Sequence, residues 1–140
     1  DMIQAVLGGI GAVSLFVAAI GIANTMMMSI YERTKEIGVL KVLGCALGDI
    51  RTMFLMEAGF IGFMGGVLGL GLSYSVSAAI NKFLGASLSG MTGGSGAISR
   101  IPLWLSGSAV VFAVLIGMLA GLFPALRAMK LSPLAAIRNE

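Results

Sequence analysis

Three long stretches without a charged side chain limit the fold of this sequence more than any other feature. They cover residues 2–31, 58–81 and 101–126. Each exceeds the about 20 residues that a helix needs to cross a bilayer at a rise of about 1.5 Å per residue. Lipid cannot satisfy an open backbone, and the alternating pattern of barrel strands is absent, so each stretch is predicted to be a helix. The sequence therefore predicts an all-α membrane protein with three transmembrane helices, over about 2–31, 50–82 and 101–126.

Composition supports lipid as the surrounding medium and excludes several kinds of site. Hydrophobic residues make up 58% of the 140 residues and charged residues 11%, whereas soluble domains carry about 25% charged residues. The sequence has no histidine and one cysteine, Cys45, which excludes a zinc cluster or a disulfide within the chain. We expect Cys45 to be a small packing residue. The positive charges lie beside apolar runs rather than among aromatic residues, so we expect no nucleic-acid partner.

The basic residues predict which side of the membrane each connection faces. Only Lys82 and Arg100 lie in the connection between the second and third spans. By the positive-inside rule, the segment 32–48 and the tail 127–140 are cytoplasmic, and the loop 83–100 lies outside. Three spans place that segment and the tail on the same side, as the rule requires. The basic residues on the cytoplasmic side are Arg33, Lys35, Lys41, Arg51, Arg127, Lys130 and Arg138.

Glycines spaced four apart predict where the spans pack. Such pairs place small surfaces on one helix face, and close backbone approach is one of the main attractions between helices in lipid. The faces could serve packing within one subunit or dimerisation, and the sequence leaves both open. The pairs are Gly62 with Gly66, Gly65 with Gly69, and Gly117 with Gly121.

Two polar side chains lie in or near the spans. Asn24 comes late in the first span, where its amide could hydrogen-bond to a neighbouring helix. Glu57 comes at the start of the second span, and an ionisable group at that depth is a candidate functional site. We expect Glu57 to have a structural role rather than to transfer protons, because no second buried acid or histidine would complete a relay.

The segment between the first two spans is more apolar than a simple connection requires. Mixed charges at its start are followed by Ile37, Val39, Leu40, Val42 and Leu43. Apolar side chains in the cytoplasm indicate contact with another protein or with the membrane surface. We expect a charged extension of the first span, a bend near residue 38, a short coupling helix that ends at residue 44, and a turn and N-cap at residues 48–49.

The segment between the first two spans and the tail each contain a motif that resembles a known protein family. The run ERTKEIGVLKVLG (32–44), followed by GDIRTMFLMEA (48–58), resembles the FtsX-like permease family, which includes the MacB-type exporters. The tail, FPALRAMKLSPLAAIR (123–138), is similar to the family's ending, although Leu126 stands where many relatives carry arginine. The likeness covers almost the whole chain.

The resemblance implies a permease subunit of a MacB-like ABC transporter in a bacterial plasma membrane, with a cytoplasmic C-terminus. In that family a first helix and an outer domain precede three further helices, to which this chain corresponds. A cytoplasmic ATPase dimer, which holds ATP and Mg²⁺, docks on the coupling segment, and the permease pairs with a second copy or a related permease. An adaptor outside the membrane is a further candidate partner. The implied coupling residues are Glu32, Arg33, Glu36, Ile37, Gly38, Leu40, Leu43 and Gly44, with Arg127 and Arg138 of the tail nearby.

The sequence contains no motif for chemistry of its own. The phosphate-binding pattern G-x-x-x-x-G-K-[ST] is absent, and without histidine there is no Ser-His or Cys-His pair. We therefore expect a subunit that is not an enzyme. Two alternatives stay open: a division-type FtsX relative that activates cell-wall hydrolases, and a small channel or scaffold built on the glycine faces. A channel needs a polar stripe, for which only Ser73, Ser75 and Ser77 are grouped.

Overall fold

The fold is a bundle of three long helices with one short helix between the first two. The computed structural model describes the backbone of residues 2–92 and 100–130, and the side chains of 2–83 and 100–130. No strand occurs in these ranges, and three of the helices are long and apolar enough to cross a membrane. The predicted all-α membrane fold is confirmed. The helices are α1 (Met2–Glu32), α2 (Thr34–Val42), α3 (Leu47–Thr92) and α4 (Leu103–Lys130).

Helix α3 is much longer than a bilayer requires. Its 46 residues give a length of about 69 Å, against about 30 Å for the hydrocarbon core. It begins before the predicted span and continues past the predicted end at residue 82, into the segment that the sequence predicted to be a loop. Part of α3 therefore lies beyond the membrane.

Helices α3 and α4 pack in opposite directions with their backbones in close contact. A Cβ atom at Gly62 would lie 2.5 Å from the carbonyl oxygen of Ala113, and one at Gly117 would lie 2.7 Å from that of Ala58. No real side chain tolerates such distances, so glycine is what lets the two helices approach.

Of the other glycines in the predicted pairs, two lie in the interface between α3 and α4 and two lie on an exposed surface. A Cβ at Gly66 would meet the Cβ of Ala113 at 3.0 Å, and one at Gly121 would collide with that of Ala58. In contrast, a Cβ at Gly65 or at Gly69 would have no neighbouring atom within 4 Å, because both glycines lie on the exposed side of α3. Two of the three predicted pairs therefore lie between α3 and α4, and the third does not.

The fully buried apolar side chains lie together at one end of the bundle. They come from the C-terminal half of α1, from α2, from the start of α3 and from the end of α4. All four helices thus meet where α2 lies. The cluster contains Met26, Ile30, Ile37, Ile50, Phe54, Ala58, Ala125 and Ala128.

The opposite end is held by fewer contacts. The N-terminal half of α1 is exposed except for the half-buried Leu15, as expected for a helix that faces lipid or a further subunit. Between α3 and α4 the Tyr74 hydroxyl and Ser106 Oγ form a hydrogen bond of 2.8 Å, which satisfies both polar groups within the bundle. Trp104, two residues before Ser106, is exposed, and tryptophan is typical of a membrane interface.

Substitution of the interfacial and the exposed glycines should have opposite outcomes. We expect Gly62→Val to destabilise the protein by about 1–3 kcal/mol or more, because its side chain would force the α3 and α4 backbones apart. Gly69→Val is the matched control, since it adds the same side chain to the same helix in open space. Thermal unfolding of the detergent-purified permease measures both. Equal melting temperatures for the two variants would contradict this packing.

Candidate coupling surface

Helix α2 begins after a single non-helical residue at the end of α1. Arg33 separates the two helices with φ −101° and ψ 18°, and the Thr34 hydroxyl donates to the carbonyl oxygens of Ile30 and Tyr31 at 2.9 Å each. This hydroxyl satisfies carbonyls at the end of α1. The bend that we expected near Gly38 is therefore at Arg33, and Gly38 lies inside α2.

The end of α2 is fixed by Gly44. Its amide donates to the carbonyl of Lys41 at 3.1 Å, and the amide of Cys45 donates to that of Leu40 at 3.1 Å. Together with φ 87° at Gly44, these two bonds form a Schellman motif, in which glycine is strongly preferred. The next helix begins at Leu47, so the expected N-cap, Asp49, instead lies in its first turn. A carboxylate in the first turn interacts favourably with the positive end of the helix dipole and stabilises the helix.

One face of α2 is directed into the bundle. Ile37 is 1% exposed and belongs to the buried cluster, Gly38 is buried, and Leu40 is half-buried. A buried side chain cannot contact a partner directly, so the structure corrects the sequence-based surface at Ile37 and Gly38. Their position makes them anchors of α2 rather than contacts for another protein.

On the same inward face of α2, the Lys41 side chain reaches the C-terminal end of α4. Its ammonium group donates to the carbonyl oxygens of Ala128 at 3.1 Å and Met129 at 2.9 Å. These are among the last carbonyls of α4, which have no partner within their own helix. Burial lowers the pKa of Lys41, and the two carbonyls offset the loss of water around its charge. The side chain therefore ties α2 to α4 as well as capping α4.

The opposite face of α2 and the adjoining end of α1 are exposed. Val39 and Val42 are 50% and 66% exposed, and Leu43 is 75% exposed. We call this exposed group the coupling surface, and it includes four of the eight residues that the sequence predicted, together with Val39 and Val42. Its members are Glu32, Arg33, Glu36, Val39, Val42 and Leu43.

The other predicted residues lie elsewhere. Arg127 is exposed near the end of α4, with its guanidinium 4.9 Å from the centre of the Phe123 ring. Asn24 is exposed on α1 and Glu57 is half-buried on α3, so they do not form one site. Arg138 lies outside the described residues. Cys45 is exposed rather than packed, which corrects the expected packing role.

Sequence reasoning missed the role of Lys41. Lys41 interrupts an apolar run, and its charge was used only to predict which side of the membrane the segment faces. The available signal was its spacing, because residues 34, 37 and 41 fall on one side of a helix. What the spacing could not give is the position of the α4 carbonyls, which lie far away in the sequence.

Comparison with known proteins agrees with this architecture. The family described as FtsX-like permease C-terminal matches residues 8–133, which is most of the chain. The chain belongs to this family. It is 38% identical over 136 residues to the ABC transporter permease YtrF of Bacillus subtilis, with 94% of this chain and 31% of YtrF covered.

Two further relatives extend the comparison. An uncharacterized ABC transporter permease of Methanocaldococcus jannaschii is 39% identical, with 94% of this chain and 32% of the relative covered. The macrolide export ATP-binding/permease protein MacB of Bdellovibrio bacteriovorus is 40% identical, with 96% and 19% covered. The chain thus spans about a third or less of the length of these relatives. Its three membrane-spanning helices and these homologues identify it as a membrane protein of the ABC permease class.

Removal of the Lys41 charge should weaken the link between α2 and α4. We expect Lys41→Met to destabilise the permease by about 1.5–3 kcal/mol, the contribution of hydrogen bonds made by a charged group. Lys35→Met is the control, because Lys35 is exposed on the same helix. Thermal unfolding in detergent measures both variants. A Lys41 variant as stable as the Lys35 variant would show that the two hydrogen bonds do not hold α4.

Proposed function

We propose that the chain is the membrane module of a MacB-like ABC transporter, and that α2 passes movement from a cytoplasmic ATPase dimer to the three spans. The observation that carries this proposal is the two-sided burial of α2. Ile37 lies in the core while Leu43, on the other side of the helix, is exposed. A helix with one anchored face and one free apolar face is suited to receive a force from outside and to pass it inward.

The inward face supports a rigid connection. Close-packed cores have low compressibility and move as units, and Ile37 shares its core with side chains from α1, α3 and α4. Lys41 adds two hydrogen bonds to the end of α4. A displacement of α2 would therefore move the ends of all three spans together rather than bend a loose connection.

The outward face favours a protein partner over the membrane surface. Helices that lie on membranes carry lysine and arginine on the polar face, where these attract anionic lipid. Here the exposed charges beside Val39 and Leu43 are of both signs, Glu32 and Glu36 with Arg33 and Lys35, and acids next to lipid phosphates are unfavourable. Apolar side chains bordered by charges of both signs are typical of a protein–protein interface, which has an apolar centre and a polar rim.

The ATPase supplies the chemistry in this proposal. The name of the MacB relatives joins ATP binding and permease in one protein, so the ATPase can be fused to a permease or separate from it. ATP and Mg²⁺ would be bound there, and this chain would be a non-catalytic subunit. In this proposal the membrane is a bacterial plasma membrane, and α2 and the C-terminus are cytoplasmic, which is the orientation that the positive-inside rule predicts. A second permease copy and an adaptor outside the membrane complete the proposed assembly.

The coupling surface can be tested without disturbing the core. Val39→Asp combined with Leu43→Asp should abolish co-purification of the permease with its ATPase, because two charges would replace the apolar centre of the interface. The control is Ile3→Asp combined with Leu103→Asp, which changes two exposed apolar residues at the opposite end of the bundle. Ile37→Asp is unsuitable, since a charge in the core would destabilise the fold itself.

The comparison requires that both double variants insert and remain monodisperse in detergent. Retention of the ATPase by the control and its loss from the Val39 and Leu43 variant are the expected results. If the ATPase stays bound to both variants at the wild-type level, the proposed docking on α2 is wrong.

A further inference from the structure

A cleft between α1 and α4 opens at the same end of the bundle as the coupling helix. It has a volume of about 150 Å³ and is lined by Met27, Ile30, Tyr31, Arg127 and Lys130. The two helices contribute different chemistry. Helix α1 supplies the apolar side chains and a tyrosine, and α4 supplies two cations.

The cleft changes from apolar to charged along the helix axes. Met27 lies about one turn, or about 6 Å, before Tyr31 on α1, so the apolar wall is on the side of the hydrocarbon. Arg127 and Lys130 are exposed near the end of α4, and Tyr31 is exposed near the end of α1. No acidic side chain belongs to the lining among the described residues. The cleft therefore combines an apolar floor with a basic mouth.

Arg127 is also oriented by its own helix. Its guanidinium lies 4.9 Å from the centre of the Phe123 ring, a cation–π contact that restricts where the charge can go. A guanidinium presents several N–H donors in a fixed plane and matches the geometry of a phosphate oxygen pair. Lys130, one turn further on, adds a second positive charge to the same mouth.

Two simpler explanations account for only part of this arrangement. Basic residues stabilise the C-terminal end of a helix dipole, and the positive-inside rule favours them on this side of the membrane. Neither explains why the cations share a cleft with Met27 and Ile30 of a different helix. A free inorganic anion would satisfy the charges but would leave the half-buried Met27 and the exposed Tyr31 ring uncovered.

We propose that this cleft binds an anionic phospholipid of the leaflet on the coupling-helix side. The phosphate lies between Arg127 and Lys130, the Tyr31 hydroxyl is an additional donor, and the start of an acyl chain covers Met27 and the Tyr31 ring, above the buried Ile30. Basic pockets between transmembrane helices at the membrane surface are suited to such headgroups. The bound lipid joins α1 to the end of α4 that Lys41 also holds.

Native mass spectrometry of the intact permease tests this site with phosphatidylglycerol and phosphatidylcholine of the same acyl chains. We expect phosphatidylglycerol to be retained preferentially by wild type. Arg127→Gln combined with Lys130→Gln should lower its affinity about tenfold to thirtyfold, the effect of two lost charges at a membrane surface. Excess inorganic phosphate should not displace the lipid, because it cannot replace the apolar contacts.

Two control variants separate this site from general attraction and from misfolding. Arg33→Gln combined with Lys35→Gln removes two exposed charges on the same side of the membrane but outside the cleft, and should retain phosphatidylglycerol as wild type does. Arg127→Lys combined with Lys130→Arg keeps both charges and should retain most of the binding. Equal loss in the Arg33 and Lys35 variant, or equal retention of the two lipids by wild type, would overturn the proposal.

Discussion

The burial of Ile37 is the contact on which the rest of this structure depends. It places one side chain of a short helix among residues from all three spans, including Ile30 and Phe54. Without it, α2 would be joined to the bundle mainly by its ends and by Lys41. With it, the connection between α1 and α3 becomes part of the packed core. Lys41 strengthens the same attachment by capping α4, so one helix is held by an apolar contact and by a charge-assisted one.

The helices pack tightly at one end of the bundle and loosely at the other, and this difference is suited to the transmission of movement. At the coupling end four helices share one core, and along α3 and α4 the glycines keep the backbones in contact. The N-terminal half of α1 is mostly exposed instead. Rigid packing at one end transmits a displacement, whereas an unpacked helix at the other end is available for another subunit or for lipid. The described residues thus agree with a module that receives force at α2.

Periodicity and charge predicted most of the fold but only part of the surface. The long apolar stretches gave the spans because a bilayer leaves helix as the only choice for them. Gly44 could be read as a helix end because its φ is accessible to few other residues. The sequence did not separate Ile37 from Leu43, since both are apolar and which of them is buried depends on distant residues. Nor did the sequence show that Gly62 packs against α4 and Gly69 does not, because each belongs to a pair of glycines four residues apart.

The most direct test of rigid coupling is the distance between α2 and α4 in the intact transporter. Spin labels at Lys35 and Leu126, in a Cys45→Ser background and diluted with unlabelled permease, report this distance by pulsed electron resonance with and without trapped ATP. A second, undiluted sample labelled at Lys35 alone reports the distance between the two permease copies. The account predicts that the distance within one permease stays constant, while the distance between copies changes. A change in the Lys35–Leu126 distance, with the distance between copies constant, would contradict it, because α2 would then move independently of the spans.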